Sequence, residues 1–193
     1  MTQGTVIALI RHMPTEWNAA GRLQGRLDPP LAPDMPEWRL PPELADYRFL
    51  SSPLLRARMT AERLGITPQL DPRLGEMSWG EWEGRTLAEL RDELGEQMLD
   101  LEARGLDFHA PSGESPRDVQ ERVKPLFAEI AASGIPTAAV THKGVIRSVM
   151  ALATGWNMLG KPPYRLSWSA AHLFRVDAGG HPTIERVNLP LDG

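Results

Sequence analysis

The chain has 193 residues, 41% of them hydrophobic and 24% charged, with a net charge of −4. That is the length and composition of one ordinary globular domain, 1–193, with enough chain for a sizeable core. The acidic balance argues against a general footprint for nucleic acid or membrane, and the absence of Cys excludes disulfides, thiol nucleophiles and Cys-based metal sites. The first element is a short apolar run, residues 5–10, which reads as a buried strand and ends abruptly in Arg11-His12. The Pro-rich stretch 28–36 cannot be a regular helix and reads as an ordered loop. Residues 47–50 form a second strand candidate. It runs into Ser51-Ser52-Pro53, a helix-start signature for a helix over 54–64 that stops at Gly65.

Apolar spacing at Leu87, Leu90, Leu94, Met98 and Leu101 predicts an amphipathic helix over 87–103. Ser115-Pro116 with Asp118 opens another, to about 132, closed by Ser133-Gly134. The run 137–141 has the apolar character of a parallel strand, His142-Lys143-Gly144 is its exit turn, and 145–154 the next helix. Segments 172–176 and 183–187 flank the turn-rich 177–182, as in an antiparallel hairpin. The alternation predicts an α/β fold: a three-layer α/β/α sandwich with a mostly parallel central sheet and a C-terminal antiparallel hairpin. No signal peptide is visible and no window approaches the roughly 20 apolar residues of a membrane helix, so the cytoplasm is the expected compartment. Monomer and homodimer both stay open.

Three strand exits carry similar cargo. The first ends in Arg11-His12. The second ends in Ser51-Ser52-Pro53, with Arg56 and Arg58 in the following helical turn. The third ends in Thr141-His142. Open α/β sheets build ligand sites at the carboxyl ends of their strands. If these strands are neighbours, two His and at least two Arg converge there, with helix N-termini behind them that favour an anion. Arg offers a planar fork to phosphate, and His can attack a phosphoryl group or exchange a proton with it. Singly, each residue has an ordinary explanation: a hydrogen-bonded structural His, or a solvated surface Arg. The signal is the repetition. The five histidines, His12, His109, His142, His172 and His181, lack close zinc-type pairing, so neither a metal nor a cofactor is expected.

The stretch from Arg11 to Asn18, Arg-His-Met-Pro-Thr-Glu-Trp-Asn, resembles the opening motif of the histidine phosphatase superfamily, the phosphoglycerate mutase-like enzymes, whose usual form is Arg-His-Gly-x-Thr-x-x-Asn. Four further stretches are similar to the family's later motifs and follow in its order: Gln24-Gly25-Arg26-Leu27-Asp28; Ser51 to Ala57 with Thr60-Ala61; Leu74-Gly75-Glu76 with Gly80-Glu81-Trp82-Glu83-Gly84; and Pro111 to Ser115 with Val140 to Arg147. The resemblance implies His12 as nucleophile, forming a phosphohistidine, and Glu76 as general acid and then base. It also implies Arg11, Arg56 and His142 around the phosphoryl oxygens, with Asn18, Gln24 and Gly25 completing the pocket. Trp79 and Trp82 could give Glu76 a low-dielectric wall; Glu81 and Glu83, its rivals, read as structural or rim residues.

Two positions depart from the pattern. Met13 replaces Gly beside the nucleophile, costly if the site needs positive φ, tolerable and pocket-narrowing if it does not. Lys143 replaces a small residue: either a solvated side chain at a helix start or an added cation reaching a second anionic group of the substrate. The expected activity is a metal-independent phosphomonoesterase on a small phosphorylated metabolite, in the manner of the short ribazole phosphatases. The similar mutases carry an insertion with further basic residues, whereas 87–111 here holds only Arg91 and Arg104. The alternatives are a phosphoglycerate mutase-type isomerase and a catalytically weak phosphate-binding relative.

Overall fold

The computed structural model describes residues 4–191. Six strands form one sheet in the order β3-β2-β4-β1-β5-β6. The strands are β1 (Thr5–Arg11), β2 (Arg48–Ser51), β3 (Gln69–Leu70), β4 (Thr137–Thr141), β5 (Ala170–Val176) and β6 (Pro182–Pro190). The four strands from β3 to β1 pair in parallel, and β5 and β6 are antiparallel. The C-terminal hairpin is present with longer arms than its apolar runs suggest. The two-residue β3 carries no apolar alternation and was not predicted from the sequence.

Alternation along β1 separates two cores. Ile7 and Leu9 face α5 (Pro116–Ser133) and α6 (Lys143–Thr154), packing among Val119, Val123, Phe127, Val145 and Val149. Ala8 and Ile10 face the other side, with Ala57 and Ala61 of α2 (Leu55–Arg63) and the irregular segment carrying Leu31, Trp38 and Leu44. Each fully buried aliphatic or aromatic side chain contributes about 1.5–3 kcal/mol, so both faces hold the sheet. A helix layer lies on each side, which is the expected sandwich. The segment 28–36 is irregular, as its prolines dictate, and short α1 (Glu16–Ala19) precedes it.

The helix expected over 87–103 is two helices, α3 (Leu87–Leu94) and α4 (Glu96–Glu102). Gly95 between them takes φ 52°, a left-handed turn that L side chains rarely adopt and that breaks the run. The apolar period survives the break because Leu90 and Met98 still reach one small core with Trp82 and Ala110. α6 begins at Lys143, two residues earlier than expected, with His142 as its N-cap. That shift places the Gly144 amide in the first turn of the helix, beside the candidate site.

Candidate active site

β1, β4 and β2 are adjacent, with Arg11 opposite Thr141 and Ser51 opposite Val140. Their carboxyl ends therefore bring together His12, His142 and Ser52, as the repeated exit pattern requires. The His12 amide donates to Thr141 O at 2.9 Å, which extends the ladder and locks the first residue after β1. The two imidazoles have centroids 5.1 Å apart, tilted by 54°. His12 is 3% exposed and His142 fully buried.

His12 Nδ1 lies 2.6 Å from Met13 O. A carbonyl only accepts, so Nδ1 carries the proton and Nε2 keeps its lone pair. Burial, with Arg11 and Arg56 nearby, pulls the His12 pKa down to about 3. Burial, His12 and Arg56 hold His142 well below the usual histidine range. Both rings are neutral at physiological pH. Ser52 Oγ accepts the Leu54 amide at 3.3 Å and lies 2.8 Å from His142 Nε2. Its hydroxyl proton can then go to Nε2, leaving Nδ1–H of His142 as a buried donor with no protein partner.

Arg56, in the first turn of α2, is fully buried. It donates to Leu27 O and Gly25 O at 2.9 Å and to Asp28 Oδ1 at 3.2 Å. It thus fixes the loop 25–28 from behind. Gly25 enters the site as the acceptor of one of these bonds. Asp28 also accepts the Leu55 amide at 2.6 Å. Arg58 is exposed on the outer side of α2 and does not join the site. Thr60 reaches it instead, accepting the Met13 amide at 2.8 Å and donating to Arg56 O at 2.7 Å.

Glu76 is 9% exposed. Its Oε1 accepts the Met77 amide at 2.8 Å and the Gly144 amide at 3.1 Å. Burial raises its pKa, opposed by those two amides and by Arg56 and Arg11. The helix N-termini behave differently from the expectation. The first-turn amides of α2 and α6 take Asp28 and Glu76, carboxylates of the chain itself, because both groups are within hydrogen-bond reach. The indoles of Trp79 and Trp82 pack on Phe108, at centroid distances of 5.8 and 6.0 Å.

Among the described residues, six buried side-chain nitrogens or oxygens lack a partner, and four belong to this constellation: Arg11 Nε, Gln24 Oε1, Arg56 Nε and His142 Nδ1. Buried polar groups are ordinarily paired, so a cluster of exceptions marks a place built to bind something polar. Asn18 Oδ1 is committed to the α1 capping box with Thr15, which leaves only its NH2 group to donate elsewhere. Lys143 is exposed, with Nζ 5.6 Å from the Trp168 ring centroid. No group of three or more His, Cys, Asp or Glu among the described residues is placed to hold a metal ion.

Met13 has a negative φ, so it sits in an ordinary backbone conformation. Its side chain packs into the second core, with Leu31 and Trp38. It is 1% exposed and borders an open depression lined by residues 33–39. Glu83 is structural, as expected, accepting the Arg26 and Leu27 amides at 2.9 and 3.0 Å. Sequence reasoning gave no role in the site to Ser52, Asp28 or Thr60, although all three lie within the motifs that carry the resemblance. It also missed Arg122, which donates to Gly75 O at 2.7 Å and to Glu114 Oε1 at 2.8 Å.

The profile of the histidine phosphatase superfamily (branch 1) matches residues 7–190. A glucosyl-3-phosphoglycerate phosphatase of Mycobacterium tuberculosis is 31% identical over 179 residues, spanning 80% of this chain and 79% of its own length. A protein of Escherichia fergusonii named as a probable phosphoglycerate mutase is 34% identical over 131 residues, 63% of this chain and 61% of its own. The solved structure of YhfR from Bacillus stearothermophilus superposes with a TM-score of 0.78 at 30% identity, covering 94% of this chain and 95% of that one. With a family match over nearly its whole length and the paired histidines at adjacent strand ends, the chain belongs to the histidine phosphatase superfamily.

Proposed function

We infer that the chain is a phosphomonoesterase for a small phosphorylated metabolite and that His12 is its nucleophile. The observation that carries this reading is the His12 ring itself: neutral, buried, and held by Met13 O so that Nε2 is the free nitrogen. Nε2 attacks phosphorus, an N–P bond forms and the ester P–O bond breaks. Glu76 gives its proton to the departing alkoxide. The phosphorylated ring carries positive charge, and its Nδ1–H keeps the Met13 carbonyl as acceptor. Water then gives a proton to the Glu76 carboxylate and attacks phosphorus. The N–P bond breaks, phosphate leaves, and Glu76 is again protonated. Arg11 Nε, Arg56 Nε and Nδ1–H of His142 offer unpaired donors that stabilise the transferring group, each charge-assisted bond contributing about 1.5–3 kcal/mol.

No metal takes part in this sequence of steps. The test is phosphate release from p-nitrophenyl phosphate with a chelator present. Release is expected, with an acid-labile phosphohistidine trapped on rapid quenching and no turnover in His12→Ala. Normal turnover in that variant, or strict dependence on a divalent metal, overturns the reading. The mutase-named relative supports a second reading, an isomerase that returns the phosphoryl group to another hydroxyl. A coupled assay in which 3-phosphoglycerate is isomerised faster than phosphate is released decides for it.

A further inference from the structure

Beside the constellation stand two cations that the chemistry above does not use, Lys143 and Arg147. Lys143 follows His142 and opens α6; Arg147 lies four residues on, on the same helix face. Lys143 Nζ sits 5.6 Å from the Trp168 ring centroid, and the Arg11 guanidinium lies over that same indole at 5.3 Å. The Arg147 guanidinium lies over Trp156 at 5.4 Å. Three cations therefore gather on two indoles at the edge of the site.

The nearest carboxylate, that of Glu76, forms an ion pair with none of the three. Among the described residues, neither Lys143 nor Arg147 forms an ion pair, whereas Arg73, Arg91 and Arg175 are each paired. The charged groups facing Lys143 are Arg11, Arg147 and Glu76, and the Glu76 carboxylate is already bound to the Met77 and Gly144 amides. Partial burial and the two arginines lower the Lys143 pKa, and burial lowers that of Arg147. Like charges at helical i,i+4 spacing repel, and desolvation adds to the cost. An anion between them relieves both. Arg147 is one helical turn beyond Lys143 and rests on a different indole, so this place is offset from the phosphoryl group that His12 attacks.

We propose that Lys143 and Arg147, backed by Trp168 and Trp156, form a second anion subsite, so that the preferred substrate is a phosphomonoester bearing a further carboxylate or phosphate. The inference rests on the phosphatase reading and names its substrate class. The experiment uses the full chain and substrates that differ by one anionic group: 3-phosphoglycerate against glycerol 3-phosphate for a carboxylate, and fructose 1,6-bisphosphate against fructose 6-phosphate for a phosphate. The expected result is a kcat/KM preference of about 10- to 100-fold for the doubly anionic member of at least one pair, expressed in KM. The pair that shows it identifies the anion. Lys143→Gln with Arg147→Gln removes the preference, losing far more on that substrate than on its partner, and Lys143→Arg retains it. No preference in either pair, or equal losses on both members, overturns the subsite. p-Nitrophenyl phosphate reports separately on the phosphatase reading. If it is not hydrolysed, calorimetry with 3-phosphoglycerate and glycerol 3-phosphate judges the subsite by affinity alone.

Discussion

In the mechanism we propose, Glu76 and His12 solve opposite problems with the same tool, burial. A carboxyl that must give a proton near neutrality needs its charged form disfavoured, and burial does that. An imidazole that must attack needs to be unprotonated, and burial beside two guanidiniums does that too. The pH dependence follows with a definite sign. His12 stays neutral down to about pH 3, so the alkaline limb belongs to Glu76. kcat/KM falls as pH rises through the raised Glu76 pKa, and the limb vanishes in Glu76→Gln. The cost of that substitution depends on the leaving group. For glycerol 3-phosphate, whose alkoxide is a strong base, about 10²–10⁴-fold is lost; for p-nitrophenyl phosphate, whose phenolate leaves unaided, much less. Equal losses on the two substrates contradict the acid role.

At the scale of elements, the site is held by two devices. The first is the start of α6. The Gly144 amide binds Glu76, and a Cβ at 144 would come within 3.2 Å of the Met77 Cβ and closer still to the carboxylate. Gly144→Ala therefore displaces Glu76. Its activity falls most on poor leaving groups while the chain stays folded by circular dichroism; unchanged kinetics contradict this. The second device is Arg122 on α5, which binds the carbonyls of Arg73 and Gly75 and pairs with Glu114. Glu114 in turn accepts the Ser78 amide at 2.8 Å. The segment carrying Glu76 is thus clamped on both sides. Arg122→Leu leaves those acceptors unpaired and destabilises the fold by about 1–3 kcal/mol, read from urea unfolding. Gly95 shows how an element can mislead: apolar spacing is blind to a glycine that breaks the helix yet keeps both halves on one core.

For the whole molecule, three buried neutral histidines set the acid limit. His12 and His172 have pKa values pulled down to about 3 and about 4, and His142 lies well below the usual range. The unfolded chain binds these protons near pH 6.5 and the folded chain does not. Stability is therefore complete above about pH 6.5 and is lost as pH falls from there toward the folded values. His12 and His172 each cost about 2 kcal/mol by about pH 5, a large share of the usual 5–15 kcal/mol, and His142 acts in the same direction. Urea unfolding across this range will show proton uptake by His12, His142 and His172, offset in part by release from Glu76, whose folded pKa is raised; a flat profile contradicts the burial of these rings.

The sequence by itself determined the positions proposed to carry the chemistry, because strand-end histidines and arginines repeat in a fixed chain order and local apolar period marks the elements beneath them. It also determined the layer architecture, through alternation of strand and helix. What only the tertiary structure decided is where side chains of distant segments point. Met13 turns into the second core, Arg58 turns outward, Asp28 and Glu76 claim the helix amides, and Arg122 grips the acid segment from α5. Those outcomes depend on contacts between residues far apart in the chain, such as Glu76 with Gly144, 68 positions away, and no local pattern encodes such a contact. The cations on Trp156 and Trp168 are of the same kind: lone charges in the sequence, one cluster once β1, α6 and the segment before β5 meet.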